Sequence, residues 1–209
     1  MPALPVAMID NQSFVSFGRN LFGKGPLIGR IQIMAGTTLQ DLQKLFATAE
    51  PPELGPGPRS GVLSEAALGP KLDALFDRGE IASAKQPLIR ALVLLWHDHL
   101  DAAHVIAQSI DNADGSFLHG IMHRREPDYG NAKYWFHRVG AHGAFPEIAA
   151  RAGTLVAGTK LVVQGRWDPF AFVDACEAAA GSGRGVIPTE RLREVQRIES
   201  AVLLERWAG

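Results

Sequence analysis

The chain has 209 residues, 46% of them hydrophobic and 21% charged, with 21 basic and 22 acidic side chains giving a formal net charge of −1. That is the profile of a globular protein long enough for one good core, with no basic excess to meet nucleic acid or an anionic membrane. A lone cysteine, Cys176, excludes an internal disulfide and points to a reducing, cytoplasmic setting.

In chain order, the first twelve residues carry two prolines and no basic run, so no secretory signal is expected there. No window approaches the roughly 20 continuous apolar residues of a membrane span. Residues 14–17 suit a short strand or a helix start, and the glycine-rich residues 18–29 suit a loop. Gly18 to Gly25 imitates a phosphate-binding loop, but no Ser or Thr follows Lys24 and Pro26 interrupts the helix that motif needs. Thr37 or Thr38 can cap a helix with Leu39, Leu42, Leu45 and Phe46 on its apolar face. Residues 51–61 (PPELGPGPRSG) deny both helix and strand, and are expected as an exposed linker or lid. A helix follows from Ser64, turning Leu68, Leu72, Leu75 and Phe76 inward and ending at Gly79.

The spacing predicts one long helix over 87–110. Leu88, Leu92, Leu95, Trp96, Ala103, Ile106 and Ile110 fall on its apolar side, with Arg90, His97, Asp101, His104 and Gln108 on a narrow stripe opposite. Such a thin polar line is expected on a buried helix that faces an enclosed wet space. Helices over 116–125 and 128–139 follow, the second capped by Asp128 and stopped by Gly140. Further helices are expected over 146–157, 169–180 and 188–207, with a β-prone run at 160–164 and a glycine joint at 181–185. The fold expected is mainly α: a single helical domain over residues 1–209, bundle-like, with a Pro/Gly-rich loop and at most minor β.

All seven histidines lie between Trp96 and His142, a stretch with only one Lys and one Glu. Three successive helices place polar groups at i, i+4 and i+7: His97/Asp101/His104, His119/His123/Glu126 and Asn131/Trp135/Arg138. That spacing stacks side chains along one helix face. If the faces converge, His104 and His123 are the acid–base candidates, oriented by Asp101 and Glu126, because imidazole titrates near neutrality and a carboxylate partner tunes it. His97, Gln108, His119, Arg124, Asp128, Asn131, Tyr134, Trp135 and Arg138 are the candidate ligand-binding residues, the arginines for anionic groups and the rings for a flat face. A metal, if present, would use His97, His104, His119 and His123, although neither a zinc-protease motif nor a di-iron pattern is intact. No G-x-S-x-G elbow supports serine chemistry. His99 is expected to be packed, His137 exposed, and Cys176 a core residue.

The run WHDHLDAAHVIAQ…GSFLHGIMHRREPDYGNAKYWFHRVG resembles the core signature of a bacterial and fungal family of uncharacterised proteins. WDPFAFVDACEAA (Trp167 to Ala179) resembles a second block of it. The resemblance covers about a third of the chain and implies no activity. The reading that follows from the residues is an enzyme doing acid–base chemistry on a small polar ligand, anionic or sugar-like. A non-catalytic ligand-binding or sensor module and a His/carboxylate metalloprotein are the alternatives. The cofactor is unknown, and a homodimer through apolar helix faces is possible on this pattern.

Overall fold

The computed structural model describes residues 37–182 and 186–209. The segments expected at 14–17 and 18–29, and most of the glycine joint at 181–185, fall outside them. Residues 37–45 form helix α1, which buries Leu42 and rests Leu39 and Leu45 on the core. Helix α2 (Glu65–Phe76) starts where Ser64 accepts the Ala67 N–H, and it buries Leu68, Leu72, Leu75 and Phe76. A serine there satisfies one of the backbone donors that a helix start leaves open. A single 3-10 turn (Ser83–Lys85) leads into α3 (Gln86–Trp96).

The long helix expected over 87–110 is two helices: α3 ends at Trp96 and α4 (Leu100–Ala107) begins after a break at His97, Asp98 and His99. The cause is Asp98, which takes a left-handed backbone at φ 67° while its carboxylate is gripped by Arg59 and Arg125. A non-glycine residue pays roughly 1–2 kcal/mol for that backbone, so long-range ion pairs override a local helical pattern here. The break removes the single polar stripe. Arg90 pairs with Asp73, His97 turns into the core, and Asp101 and Gln108 are exposed on α4. The stripe therefore does not face an enclosed space.

Helix α5 (Ala113–Arg125) begins earlier than expected because Asn112 caps it, accepting the Gly115 N–H. Helix α6 (Tyr129–Val139) has Asp128 as cap and Gly140 as terminator, as its sequence requires. Helix α7 (Phe145–Ala152) stops short of the expected end. Strands β1 (Val162–Val163) and β2 (Arg166–Trp167) form a two-residue antiparallel hairpin, with Val162 opposite Trp167. Helices α8 (Pro169–Ser182) and α9 (Thr189–Ala208) complete the described residues. The fold is mainly α with minor β.

Helix α5 occupies the centre. It packs most extensively on α6 and also touches α3 and α4, and every residue from Gly115 to Arg125 is buried. Gly120 permits the tight α5–α6 approach, since a Cβ there would lie 2.8 Å from the Phe136 ring. Yet this buried helix carries His119, His123, Arg124 and Arg125. Burying such groups costs stability unless each finds a partner.

Residues 51–61 are irregular, as proline and glycine dictate, but they form a tied strap instead of a free linker. Arg193 donates to the Pro51 carbonyl at 2.7 Å, the Gln196 amide to Pro52 and Glu53, and Arg125 to Gly55. Arg59 closes the strap on Asp98 at 2.6 Å and on the Trp96 carbonyl at 2.7 Å. Gly57, at φ +84°, lies so close to Asp98 that a Cβ would meet its side chain at 2.8 Å.

Candidate functional site

The polar groups of α5 separate into two sets. On one side, Arg124 is fully sealed from solvent, and its guanidinium meets Glu199 at 2.5 and 3.2 Å and Gln196 at 3.4 Å. Burial opposes its charge, and Glu199 more than restores it, so Arg124 sits above the usual arginine range. The expectation that Arg124 binds ligand is therefore corrected: its charge is spent on α9, and no solute reaches it. Arg125 is equally committed, to Asp98 at 2.6 Å and to the carbonyls of Leu95 and Gly55. Burial pushes Arg125 below its usual range, with Asp98 opposing the shift.

His97 also leaves the candidate site. Its Nδ1 accepts the Leu63 N–H at 3.1 Å and its Nε2–H donates to the Leu45 carbonyl at 2.8 Å. Both nitrogens are used to tie α1 to the segment before α2. Burial lowers its pKa, the Leu45 carbonyl opposing the shift, which fits a neutral ring.

On the other side of α5, three imidazoles from two helices meet. The His104 ring of α4 lies 5.3 Å from His119 and 5.5 Å from His123, nearly perpendicular to both. The His119 ring stacks on the Trp135 indole of α6 at 3.9 Å and 11°. His123 donates from Nδ1 to Glu126 at 3.0 Å, and its Nε2 accepts from the Asn131 amide at 3.1 Å. The His104 Nε2 accepts from the Gln108 amide at 2.9 Å. His119 donates from Nδ1 to the Gly115 carbonyl at 3.1 Å. That bond fixes the tautomer and leaves Nε2 as a bare lone pair, buried and without a hydrogen-bond partner. His104, Asn131 and Trp135 are half-buried around it, whereas His119 is 2% exposed.

Electrostatics keep His119 and His123 neutral. Burial is the leading cause that lowers the pKa of His119, with His104, His123 and Arg138 adding repulsion and the Gly115 carbonyl opposing. Burial also lowers His123, against the pull of Glu126. Both are therefore free bases at neutral pH, the form in which imidazole accepts a proton.

The remaining candidates lie at the edge or away. Arg138 is exposed, reaching Asp111 at 3.3 Å with its guanidinium 5.4 Å from the Trp135 ring centroid. Tyr134 is exposed and meets Trp135 edge-on. Asp128 is occupied as the α6 cap. Asp101 is exposed; the partner of His104 is Gln108 instead. His142, left without a role by its sequence, bonds Asp114 at 3.1 Å and accepts the Ala144 N–H. With Lys85 and Trp207 on the same carboxylate, Asp114 is held well below the usual carboxylate range, His142 being the largest cause. Cys176 is buried in α8, and burial pushes its thiol up to about 12.

Among the described residues, no group of three or more His, Cys, Asp or Glu is arranged to hold a metal ion. Two of the three imidazole lone pairs already receive amide N–H groups, and the rings meet by edges and faces. What sequence reasoning missed is the Gly115 carbonyl, a backbone atom with no residue-type signal. No family model, curated protein or solved structure matches the chain.

Proposed function

We propose that the imidazole cluster is a proton-transfer site for a small polar molecule, anionic or sugar-like, and that the protein is an enzyme. The observation that carries this reading is the His119 Nε2: a buried, deprotonated nitrogen, aligned by a backbone carbonyl and lacking any donor. An unmatched buried acceptor is destabilising by about 1–3 kcal/mol, and such departures from hydrogen-bond balance concentrate where function needs them. A substrate O–H or N–H supplies the missing donor. His123, oriented by Glu126, is the second proton carrier once the ligand takes the Asn131 amide from its Nε2. The half-buried Asn131 and Trp135 hold the ligand, with Gln108 and Arg138 at the exposed rim.

A thermal-shift screen with sugar phosphates, polyols and hydroxy acids, followed by NMR assay of each hit for conversion, tests the reading. His119→Phe and His123→Gln should fold, lose at least about tenfold in affinity for the hit, and abolish its conversion. Either variant converting the hit as wild type does would overturn it. A hit bound with no conversion would make the site a binding or sensor module, and stoichiometric metal in the purified protein would replace the reading with a metal centre.

A further inference from the structure

Away from the imidazole cluster, a cleft of about 820 Å³ opens where the α6–α7 corner faces the β hairpin and the start of α8. That volume is in the range of small-molecule sites. Phe145, Val163, Trp167 and Phe170 give it apolar walls, and Val163 and Phe170 are 52% and 38% exposed. Large apolar side chains left open beside a concave surface mark a place where something docks.

The polar groups of the cleft are unevenly committed. One oxygen of the Asp168 carboxylate, Oδ1, receives the Phe170 and Ala171 N–H groups at 2.9 and 3.1 Å, capping α8. His142 is bonded at both nitrogens, to Asp114 and to Ala144. The side chains of His137, Gln164 and Arg166 also line the cleft, are exposed, and have no hydrogen-bond or ion-pair partner among the described residues; Arg166 is the one among them that is always a cation. Trp167 is 6% exposed, and its indole N–H is buried with no hydrogen-bond partner. A buried N–H without an acceptor is costly.

From the aromatic walls, the uncommitted Arg166 guanidinium and the unmatched Trp167 N–H we infer that the cleft is a binding site for a small aromatic carboxylate. The flat apolar body lies among Phe145, Trp167 and Phe170, the carboxylate pairs with Arg166, whose fork of N–H groups matches it, and Trp167 N–H donates to a ligand oxygen. Asp168 is fixed through Oδ1 as the α8 cap, and its charge repels a ligand anion, which therefore lies against the Arg166 guanidinium.

The probe is 2-naphthoate, with 2-naphthylmethanol as its uncharged counterpart. Both are titrated into the full chain while the indole N–H resonances are followed by NMR, that of Trp167 being assigned by its loss in Trp167→Phe or, if that variant does not fold, by paramagnetic or mutational shifts at Phe170. Saturable movement of the Trp167 resonance, with the Trp135 resonance still, is expected for naphthoate. The alcohol should bind at least about tenfold more weakly, and the exposed substitution Arg166→Gln should cost naphthoate, but not the alcohol, a similar factor. Equal affinity for the two probes, an unmoved Trp167 resonance, or an Arg166→Gln variant that binds naphthoate as wild type would overturn the inference. So would concentration-dependent self-association that buries Phe170 and excludes both probes.

Discussion

The two flanks of α5 both bury polar groups and treat them in opposite ways. On the flank facing α3, α9 and the strap, charge meets charge: Arg124 with Glu199, Arg125 and Arg59 with Asp98. One N–H of Arg124, at Nε, stays unmatched, but no charge does. On the flank facing α4 and α6, α5 presents two neutral rings, His119 and His123, and one ring nitrogen has been left with nothing to bond. A completed network resists change and excludes solutes; an incomplete one advertises the atom it lacks. The same contrast separates the histidines, since His97 uses both nitrogens and His119 uses one.

The largest effect should come from breaking the completed side. Glu199→Leu leaves Arg124 charged and sealed in the core, and removing one partner of a buried pair costs about 3–5 kcal/mol. The double substitution Arg124→Met with Glu199→Leu removes both charges and should recover most of that loss. Urea unfolding of the two variants measures the difference; a double variant as unstable as the single would mean that packing, not charge, dominates at this contact.

The strap comes next. Asp98→Ala strips the shared carboxylate from Arg59 and Arg125 and should destabilise by about 3 kcal/mol. Gly57→Ala forces a Cβ into Asp98 at a left-handed backbone, for which about 1–3 kcal/mol is expected. In both variants limited proteolysis should cut within residues 51–61, where the wild-type chain is protected by its ties to Arg193, Gln196 and Arg125. Unchanged protection in both would show that the strap is held by its apolar contacts alone.

Acid should sharpen the contrast among the histidines. The folded-state pKa values of His97, His119 and His123 are all lowered from about 6.5, burial being the leading cause in each. Below 6.5 the unfolded chain binds protons that the folded chain refuses, so their contribution to stability is present in full above about 6.5 and falls as pH drops through the folded-state values. A decrease on the order of 1 kcal/mol between pH 7 and 5.5 is expected, and His97→Gln should flatten part of it. A stability curve that rises on acidification across that window would contradict the neutral tautomers assigned to these rings.

Much of the imidazole cluster was legible because its spacing is local. His119, His123 and Glu126 share a helix, as do Asn131 and Trp135, and only the meeting of two neighbouring helices with α4 had to be guessed. Arg124 reads locally as a ligand-binding residue because its partner is remote: Glu199 lies 75 positions away, and the Asp98 pairs with Arg59 and Arg125 are hidden in the same way, 39 and 27 positions apart. Nothing in the local pattern around Asp98 announces a left-handed turn, so the helical period ran straight through it. The cleft by the hairpin is invisible in the sequence for a related reason, because its walls join residues 136–146 to 163–170.

The smallest expected effect on stability is also the most discriminating. His119→Phe keeps an aromatic ring against Trp135 and removes the lone pair that no donor meets. The lost bond from Nδ1 to the Gly115 carbonyl is worth about 1 kcal/mol, and deleting an unmatched buried acceptor returns a comparable amount. A net change within about 1 kcal/mol is therefore expected by urea unfolding, beside a complete loss of ligand conversion. If the phenylalanine variant instead unfolds as readily as Glu199→Leu, the imidazole flank is a structural network like its neighbour, and the bare nitrogen is an accident of packing.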